Sequence, residues 1–407
     1  MAIGNLRVKI FNGNVGSPMS NIRFQVRKTD TENIIAENVT DDSGQSELIE
    51  LSAPPVNYSL EPESPRPYDE YDVIMDDVTG FEKIIINRIQ ILPDSISDQN
   101  IYLTPAKDYD KPELTYDIQA HTLFGNYPSK ITEEEVKPLP NPTGFVVLDS
   151  PIIPEFIVVH DGAPTDDSAA DYWIPYKDYI KNVCSSEVYP TWPENSIKAN
   201  VLAIISFTLN RVYTEWYRSR GYGFTITSST AYDQKFIYQR NIFENISRIV
   251  DEIFSTYITK PNIEQPLFSQ YCDGKRVTCP NWLSQWGSKY LADNGADYVN
   301  ILKNYYGYEI YLEMAKEVAG VPISFPGEIL QIGSSGSSVR TIQQQLNAIS
   351  NNYPAIKKVA VDGVYGESTS TSVKTFQKIF GLSQTGSVNY ATWYELSKIY
   401  VAVKKLS

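Results

Sequence analysis

Histidine is almost missing from this chain: His121 and His160 are the only two in 407 residues, alongside three cysteines and four methionines. So few imidazoles leave no room for a Cys–His pair as the organising chemistry, since that pair needs its base beside the thiol. His160 is read as a hydrogen-bonded structural residue. Three cysteines are too few for a disulfide framework. Cys184, Cys272, Cys279 and His160 are of types that suit zinc, but Cys-x6-Cys is not a usual ligand spacing. A Cys272–Cys279 disulfide or free buried thiols are the simpler readings, so no metal and no cofactor is expected. Positive charge is also short: 35 Lys and Arg stand against 49 Asp and Glu, a net charge of −14. With no basic stripe, a nucleic-acid partner is excluded, while a glycan or peptide partner remains compatible. There is no run of about eighteen apolar residues, so no membrane span is expected. The opening Met1 to Ile10 alternates like a strand and lacks the basic-then-apolar plan of a signal peptide. The expectation is a protein made in a cytoplasm or delivered by a route other than ordinary secretion.

What is present divides into four stretches. The length exceeds one ordinary core. Residues 1–105 read as a small all-β unit: Leu6 to Phe11 and Ile22 to Val26 alternate with period two, and Thr40 to Gly44 supplies a turn before another strand. Residues 106–150 read as a connector. It holds the acidic run Glu133-Glu134-Glu135, and then Lys137-Pro138-Leu139-Pro140-Asn141-Pro142, whose alternate prolines favour exposed polyproline II. Such a segment is either a proteolytic site or a plain spacer. Residues 151–325 form a helical centre. Thr191-x-x-Glu194 has the pattern of a capping box with Pro193 in the first turn, opening a helix that stops near Gly221. Amphipathic patterns follow over Phe236–Tyr257 and Leu283–Tyr306. Residues 327–407 are a separate unit with an internal echo of glycine turns entering helices.

One carboxylate in the centre stands out. Tyr176, Ile180, Val183 and Glu187 recur at i, i+4, i+7 and i+11, so they share one helix face. Burying a carboxylate on the apolar stripe raises its pKa, and a raised pKa is what a general acid needs. Capping the next helix or pairing with an arginine is the plainer alternative for Glu187.

In the last unit, Gly333-x-x-Gly336-x-x-Val339-x-x-Ile342-Gln343-x-x-Leu346 is followed by Asp362-Gly363-x-Tyr365-Gly366, then Val373-x-x-Phe376-Gln377, Gly381-Leu382, Thr385-Gly386 and Thr392-Trp393-x-x-Leu396. These residues resemble the three-helix peptidoglycan-binding module of bacterial cell-wall hydrolases, with Ser372 and Thr385 replacing the usual alanine and aspartate. Periodicity assigns Val339, Ile342, Leu346, Val373, Phe376 and Trp393 to the core. Asp362, Tyr365 and Gln377 are the candidates for exposed glycan contacts.

The centre resembles the stage II sporulation protein D family. Ile174 to Asn200, around Ser186-Glu187-Val188-Tyr189-Pro190, matches one block. Leu267-Phe268-Ser269-Gln270-Tyr271-Cys272-Asp273-Gly274 matches a second, and Leu283-Ser284-Gln285-Trp286-Gly287 with Tyr305-Tyr306 a third. The resemblance implies a lytic transglycosylase acting on peptidoglycan, with Glu187 as the acid/base. Ser269, Gln270, Ser284, Gln285 and Tyr305 are candidates for orienting sugar hydroxyls or stabilising the oxocarbenium-like state. A zinc site known in some members does not carry over.

The first unit bears a weak likeness to transthyretin-like sandwiches. In its whole order the chain resembles the clostridial spore-cortex-lytic enzymes. That implies a multidomain α+β protein: a β-sandwich-like prodomain, a mainly helical catalytic domain and a three-helix peptidoglycan-binding domain. It also implies a spore zymogen from which a subtilisin-like protease removes the N-terminal segment, cutting in the connector. The alternatives are a non-catalytic wall-binding scaffold and a hydrolytic glycosidase on the same substrate.

Overall fold

In the first strand, β1 (Ala2–Asn12), Leu6, Val8 and Ile10 are fully buried while Arg7 and Lys9 face the other way. That period-two pattern makes one face of a sheet apolar. The computed structural model describes residues 2–75, 78–106, 113–139 and 150–405. Seven more strands follow β1: β2 (Arg23–Lys28), β3 (Ile34–Val39), β4 (Ile49–Ala53), β5 (Asp69–Met75), β6 (Lys83–Ile91), β7 (Ile96–Leu103) and β8 (Glu113–Asp117). They form two sheets, one of order β3-β2-β5-β6-β8 and one built on β7-β1-β4. The sheets share a core that includes Leu6, Val8, Phe24, Val73, Ile86 and Leu103. Each such side chain contributes about 1.5–3 kcal/mol through burial.

The strand content runs past residue 105, because β8 pairs in parallel with β6. In the proline run Pro138 and Leu139 are exposed, as expected of polyproline II, while Lys137 is buried. Pro140, Asn141 and Pro142 lie outside the described residues.

The centre is mixed rather than mainly helical. It opens with β9 (Ile152–Ile153), β10 (Phe156–His160) and β11 (Asp171–Pro175), then α1 (Tyr176–Glu187) and α2 (Glu194–Tyr213). Short strands β12 (Ile226–Thr227) and β13 (Ile242–Phe243) precede α3 (Glu244–Ile253). The remaining elements are β14 (Thr256–Thr259), β15 (Tyr271–Cys272), β16 (Leu283–Ser284), α4 (Gln285–Asp293), α5 (Tyr298–Tyr306), β17 (Tyr311–Met314) and β18 (Glu317–Val318). Helix α2 is buried on nearly all sides, as a helix with apolar residues all round must be. It is the post around which α1, α3, α4 and α5 pack.

The capping box at Thr191 does not form. Pro193 takes the N-cap position without a side-chain cap, and the Thr191 hydroxyl instead bonds Ser59 Oγ of the first unit at 2.7 Å. The Leu283–Tyr306 pattern is two helices, α4 and α5, broken around Gly295 (φ +86°).

The last unit consists of α6 (Ser337–Ile349), α7 (Glu367–Ile379) and α8 (Tyr390–Lys404). The six side chains read as its core are all buried. Tyr365 and Gln377 are buried as well, which corrects their reading as exposed glycan contacts. Gln377 accepts from the Gly386 N–H at 2.9 Å and donates to Ser387 O and Thr385 Oγ1. The Tyr365 hydroxyl donates to Gly386 O. Both side chains are spent on closing the turn before α8. Asp362 is exposed, but its Oδ1 already accepts from Gln343 Nε2 and the Val364 N–H.

The units are tied to one another. Strand β13 pairs antiparallel with β7, extending the first sheet to β13-β7-β1-β4, and Arg7 bonds Glu244 at 2.8 Å. Between α1 and α8, Lys177 pairs with Glu395 and Lys398 with Asp178, and Lys177 also pairs with Asp251 of α3. A cavity of about 660 Å³ lies at this three-way junction and is lined by residues such as Lys9, Tyr102, Lys177, Tyr353 and Glu395. Glu187 is not among its walls.

Candidate active site

Glu187 is the last residue of α1 and only 3 % exposed. Its place follows from the helical stripe: Tyr176, Ile180 and Val183 are buried on the same face and carry it into the interior. One carboxylate oxygen, Oε1, accepts from the Lys235 N–H at 2.7 Å. The other, Oε2, has no hydrogen-bond partner, and neither does the buried Tyr271 hydroxyl. Beyond burial, each group nonetheless shifts the other's pKa at close range, the Tyr271 hydroxyl lowering that of Glu187 and the carboxylate raising that of Tyr271. Burial raises the Glu187 pKa, and the nearby Lys130 charge, Tyr271 and the Lys235 N–H offset only part of that rise.

Lys130 comes from the connector. Its ammonium donates to Asp233 O and lies over the rings of Tyr271 (4.4 Å) and Phe207 (4.7 Å). Burial pulls its pKa down to about 8, against the opposing pull of Glu187 and Asp233. Two other acids nearby are already engaged. Asp233 and Glu133 both hold the fully buried Arg211, at 2.8 and 2.7 Å. Asp233 also takes the Tyr217 hydroxyl and both the N–H and the hydroxyl of Thr227.

Of the five residues expected to orient sugar, only Gln285 is seen to touch Glu187, and it does so at the backbone carbonyl. Gln285 Nε2 donates to the Glu187 carbonyl at 3.0 Å, fixing the end of α1 against the start of α4. Gln270 immediately precedes β15, which Tyr271 opens, and its side chain is bonded to the connector at Ile131 O and the Glu133 N–H. Ser269 is fully buried and donates to Ala203 O, which makes it a brace for α2. Ser284 is the N-cap of α4, accepting from the Gly287 N–H. Tyr305 lines, with Ser284, Trp282 and Asn304, a depression of about 440 Å³ beside the Cys272–Cys279 disulfide. Glycine is required at 274 and 287 there: a Cβ would run into Ser284 Oγ at the first and the Tyr305 hydroxyl at the second.

Lys130, Tyr271, Arg211 and Asp233 were not singled out from sequence. The only signal for Lys130 was an isolated lysine in a stretch read as linker. His160 bonds Asp171 at 2.8 Å and stacks on Phe224. Among the described residues, no three or more His, Cys, Asp or Glu side chains group so as to hold a metal ion, and no helix is long and apolar enough to cross a membrane.

Comparison with known proteins adds one domain-level finding. Residues 335–396 match the family described as "Putative peptidoglycan binding domain". That match makes peptidoglycan the supported partner of α6–α8 and ties the chain to the cell wall. No curated protein matches the chain. Among solved structures, the SleB N-terminal domain is 31 % identical over 19 % of this chain and 99 % of its own, with a TM-score of 0.17. The Bacillus anthracis TIE protein is 15 % identical over 26 % of this chain and 17 % of its own (TM-score 0.19). The minor pilin GBS52 of Streptococcus agalactiae is 11 % identical over 27 % and 48 % (TM-score 0.19).

Proposed function

We propose that this chain is a zymogen of the clostridial spore-cortex-lytic type, cleaving the bond between N-acetylmuramic acid and N-acetylglucosamine in cortex peptidoglycan as a lytic transglycosylase. The observation that carries the reading is the state of Glu187: a buried carboxyl with a raised pKa, one oxygen pinned by a backbone N–H and the other uncommitted. The protonated Oε2 gives its proton to the glycosidic oxygen as the C1–O bond breaks. The resulting carboxylate takes the proton from the muramoyl C6 hydroxyl, whose oxygen closes on C1 as a 1,6-anhydro ring. One carboxyl group serves both steps, whereas an ordinary hydrolase needs a second to position water or attack. The occupation of Asp233 and Glu133 by Arg211 favours the one-carboxyl route.

In the intact chain Glu187 is covered, so activity requires release of the N-terminal part by a subtilisin-like protease acting in the connector. The test compares wild type and Glu187→Gln after such cleavage. Mass spectrometry of digested cortex should show anhydro-muropeptides for wild type only, with wall binding equal in both. Reducing ends in place of the anhydro ring identify a hydrolase. An identical product profile for the two chains removes Glu187 from the chemistry and leaves a wall-binding scaffold.

A further inference from the structure

After β8, the chain crosses the centre rather than leaving it. Residues 131–137 run antiparallel to residues 265–270 and are paired with them at every second position. Gln270 accepts from the Glu133 N–H (2.9 Å) and donates to Ile131 O (2.7 Å). The Phe268 N–H donates to Glu135 O (3.0 Å). Gln265 accepts from the Lys137 N–H (2.9 Å) and donates back to Lys137 O (3.0 Å). Each of the two primary amides therefore accepts from one backbone N–H of the run and donates to one backbone carbonyl, the two groups belonging to neighbouring peptide units.

Charge is matched along the same line. Glu133 pairs with Arg211 and Glu135 with Lys260, at 2.7 and 2.6 Å. The Lys137 ammonium lies over the rings of Phe268 (4.0 Å) and Trp216 (4.7 Å). At the other end of the run sits Lys130, over Tyr271 and beside Glu187. The run thus covers a line of polar and aromatic side chains that reaches, through Lys130, to Glu187. That line offers two amide readers, two cations and two aromatic faces.

We infer that residues 127–137 occupy a substrate trench by imitating its ligand, and that Gln265 and Gln270 read the amides of an N-acetylated, carboxylate-bearing glycan while Arg211 and Lys260 take its carboxylates. The inference rests on the proposed function, since that reading supplies the polymer. Glycan strands carrying peptide stems have both groups, amide and carboxylate, and their sugar faces suit aromatic walls. The strap presents the same chemistry from a polypeptide, with the amides in its backbone and the carboxylates on Glu133 and Glu135. Substrate and strap are then mutually exclusive, and the strap must leave before glycan enters.

The test uses the full chain with Glu133→Gln and Glu135→Gln, which loosen the strap and leave the trench intact; Arg211 keeps Asp233. Amide exchange at 131–137 and 265–270 should rise by roughly tenfold or more, from the loss of two charge-assisted contacts. A fluorescent synthetic peptide of residues 127–139 should then bind this variant. Soluble peptidoglycan fragments bearing acetyl groups and stem peptides should displace it, and deacetylated glucosamine oligomers should not. Adding Gln270→Leu should abolish peptide binding. Because displacement is read on the peptide, glycan held by α6–α8 does not register. A strap still protected after both substitutions, or a peptide that peptidoglycan fragments fail to displace, overturns the inference. Intact displacement with no anhydro product would sink the transglycosylase chemistry alone.

Discussion

The C-terminal unit and the segment 265–270 of the centre hold their surroundings with the same side chain, glutamine, but are assembled in opposite ways. In the C-terminal unit the device is local and repeated. Gln343 on α6 accepts from the Gly363 N–H at 2.9 Å and donates to Asp362 Oδ1 and Val364 O. Gln377 on α7 accepts from the Gly386 N–H at 2.9 Å and donates to Thr385 Oγ1 and Ser387 O. Each helix clamps the glycine turn that opens the next helix, and Thr385 stands in for the aspartate with its hydroxyl. In the centre, Gln265 and Gln270 bind a segment more than a hundred positions away in sequence, at separations of 128, 137 and 139. A clamp between neighbours in sequence leaves a motif. A clamp between distant segments leaves two unremarkable glutamines.

The largest expected effect falls on the centre. Asp233→Ala orphans the Arg211 guanidinium on one side, together with the Tyr217 hydroxyl and both donors of Thr227. Breaking a buried pair of this kind costs about 3–5 kcal/mol. Urea denaturation followed by tryptophan fluorescence should show that loss, and a change under 1 kcal/mol, in the range of exposed pairs, would mean the network is not what holds the strap's anchor.

The two helix clamps come next. Gln343→Ala and Gln377→Ala each leave a glycine N–H without its partner, for about 1–3 kcal/mol. If the echo is real the two losses should agree closely. Unequal losses would break the equivalence of the repeats.

A pH series sharpens the contrast further. Because the folded Glu187 holds its proton more tightly than an unfolded glutamate, wild type should lose stability relative to Glu187→Gln as pH rises from the usual carboxylate range through the raised pKa. Glu395, at the α1–α8 contact, has the opposite sign. Burial pushes its pKa up, but Lys177 and Lys398 together hold it well below the usual range. Its contribution should vanish only as pH falls below the ordinary carboxylate value. The melt of Glu187→Gln should therefore part from wild type as pH rises above the usual carboxylate range, whereas that of Glu395→Gln should close on wild type as pH falls below it.

The smallest effect is Thr385→Asp, which restores the aspartate–glutamine contact of the first turn. It should change stability by no more than about 0.5–1.5 kcal/mol, measured on the same urea curves. A larger loss would show that the hydroxyl does more than replace a carboxylate.

Legibility divided along the same line. The burial of Val339, Ile342, Leu346 and Trp393 followed from period alone, as did the turn into α6 at Gly336 (φ +125°). The buried face of α1, including Glu187, was equally readable, because a helix stripe needs only its own residues. The assignment of Tyr365 and Gln377 to the surface failed because polarity was taken as exposure, when a buried polar group needs only partners. Thr191 misled for a related reason: a better partner, Ser59, came from another unit. The acidic run at Glu133–Glu135 looked like solvated linker, since nothing local reveals that Arg211 and Lys260 await it.

Sequence by itself determined the first strands β1 and β2, the helices of the C-terminal unit and the glycine turns between them, and that a carboxylate would sit on the buried face of α1. Tertiary structure alone decided what that carboxylate would meet: the Tyr271 side chain, the Lys235 N–H and an ammonium from residue 130, whose segment is held by Gln270. The physical reason is range. Periodicity and turn geometry act over a few residues, whereas burial and charge pairing depend on which distant segments the fold brings together.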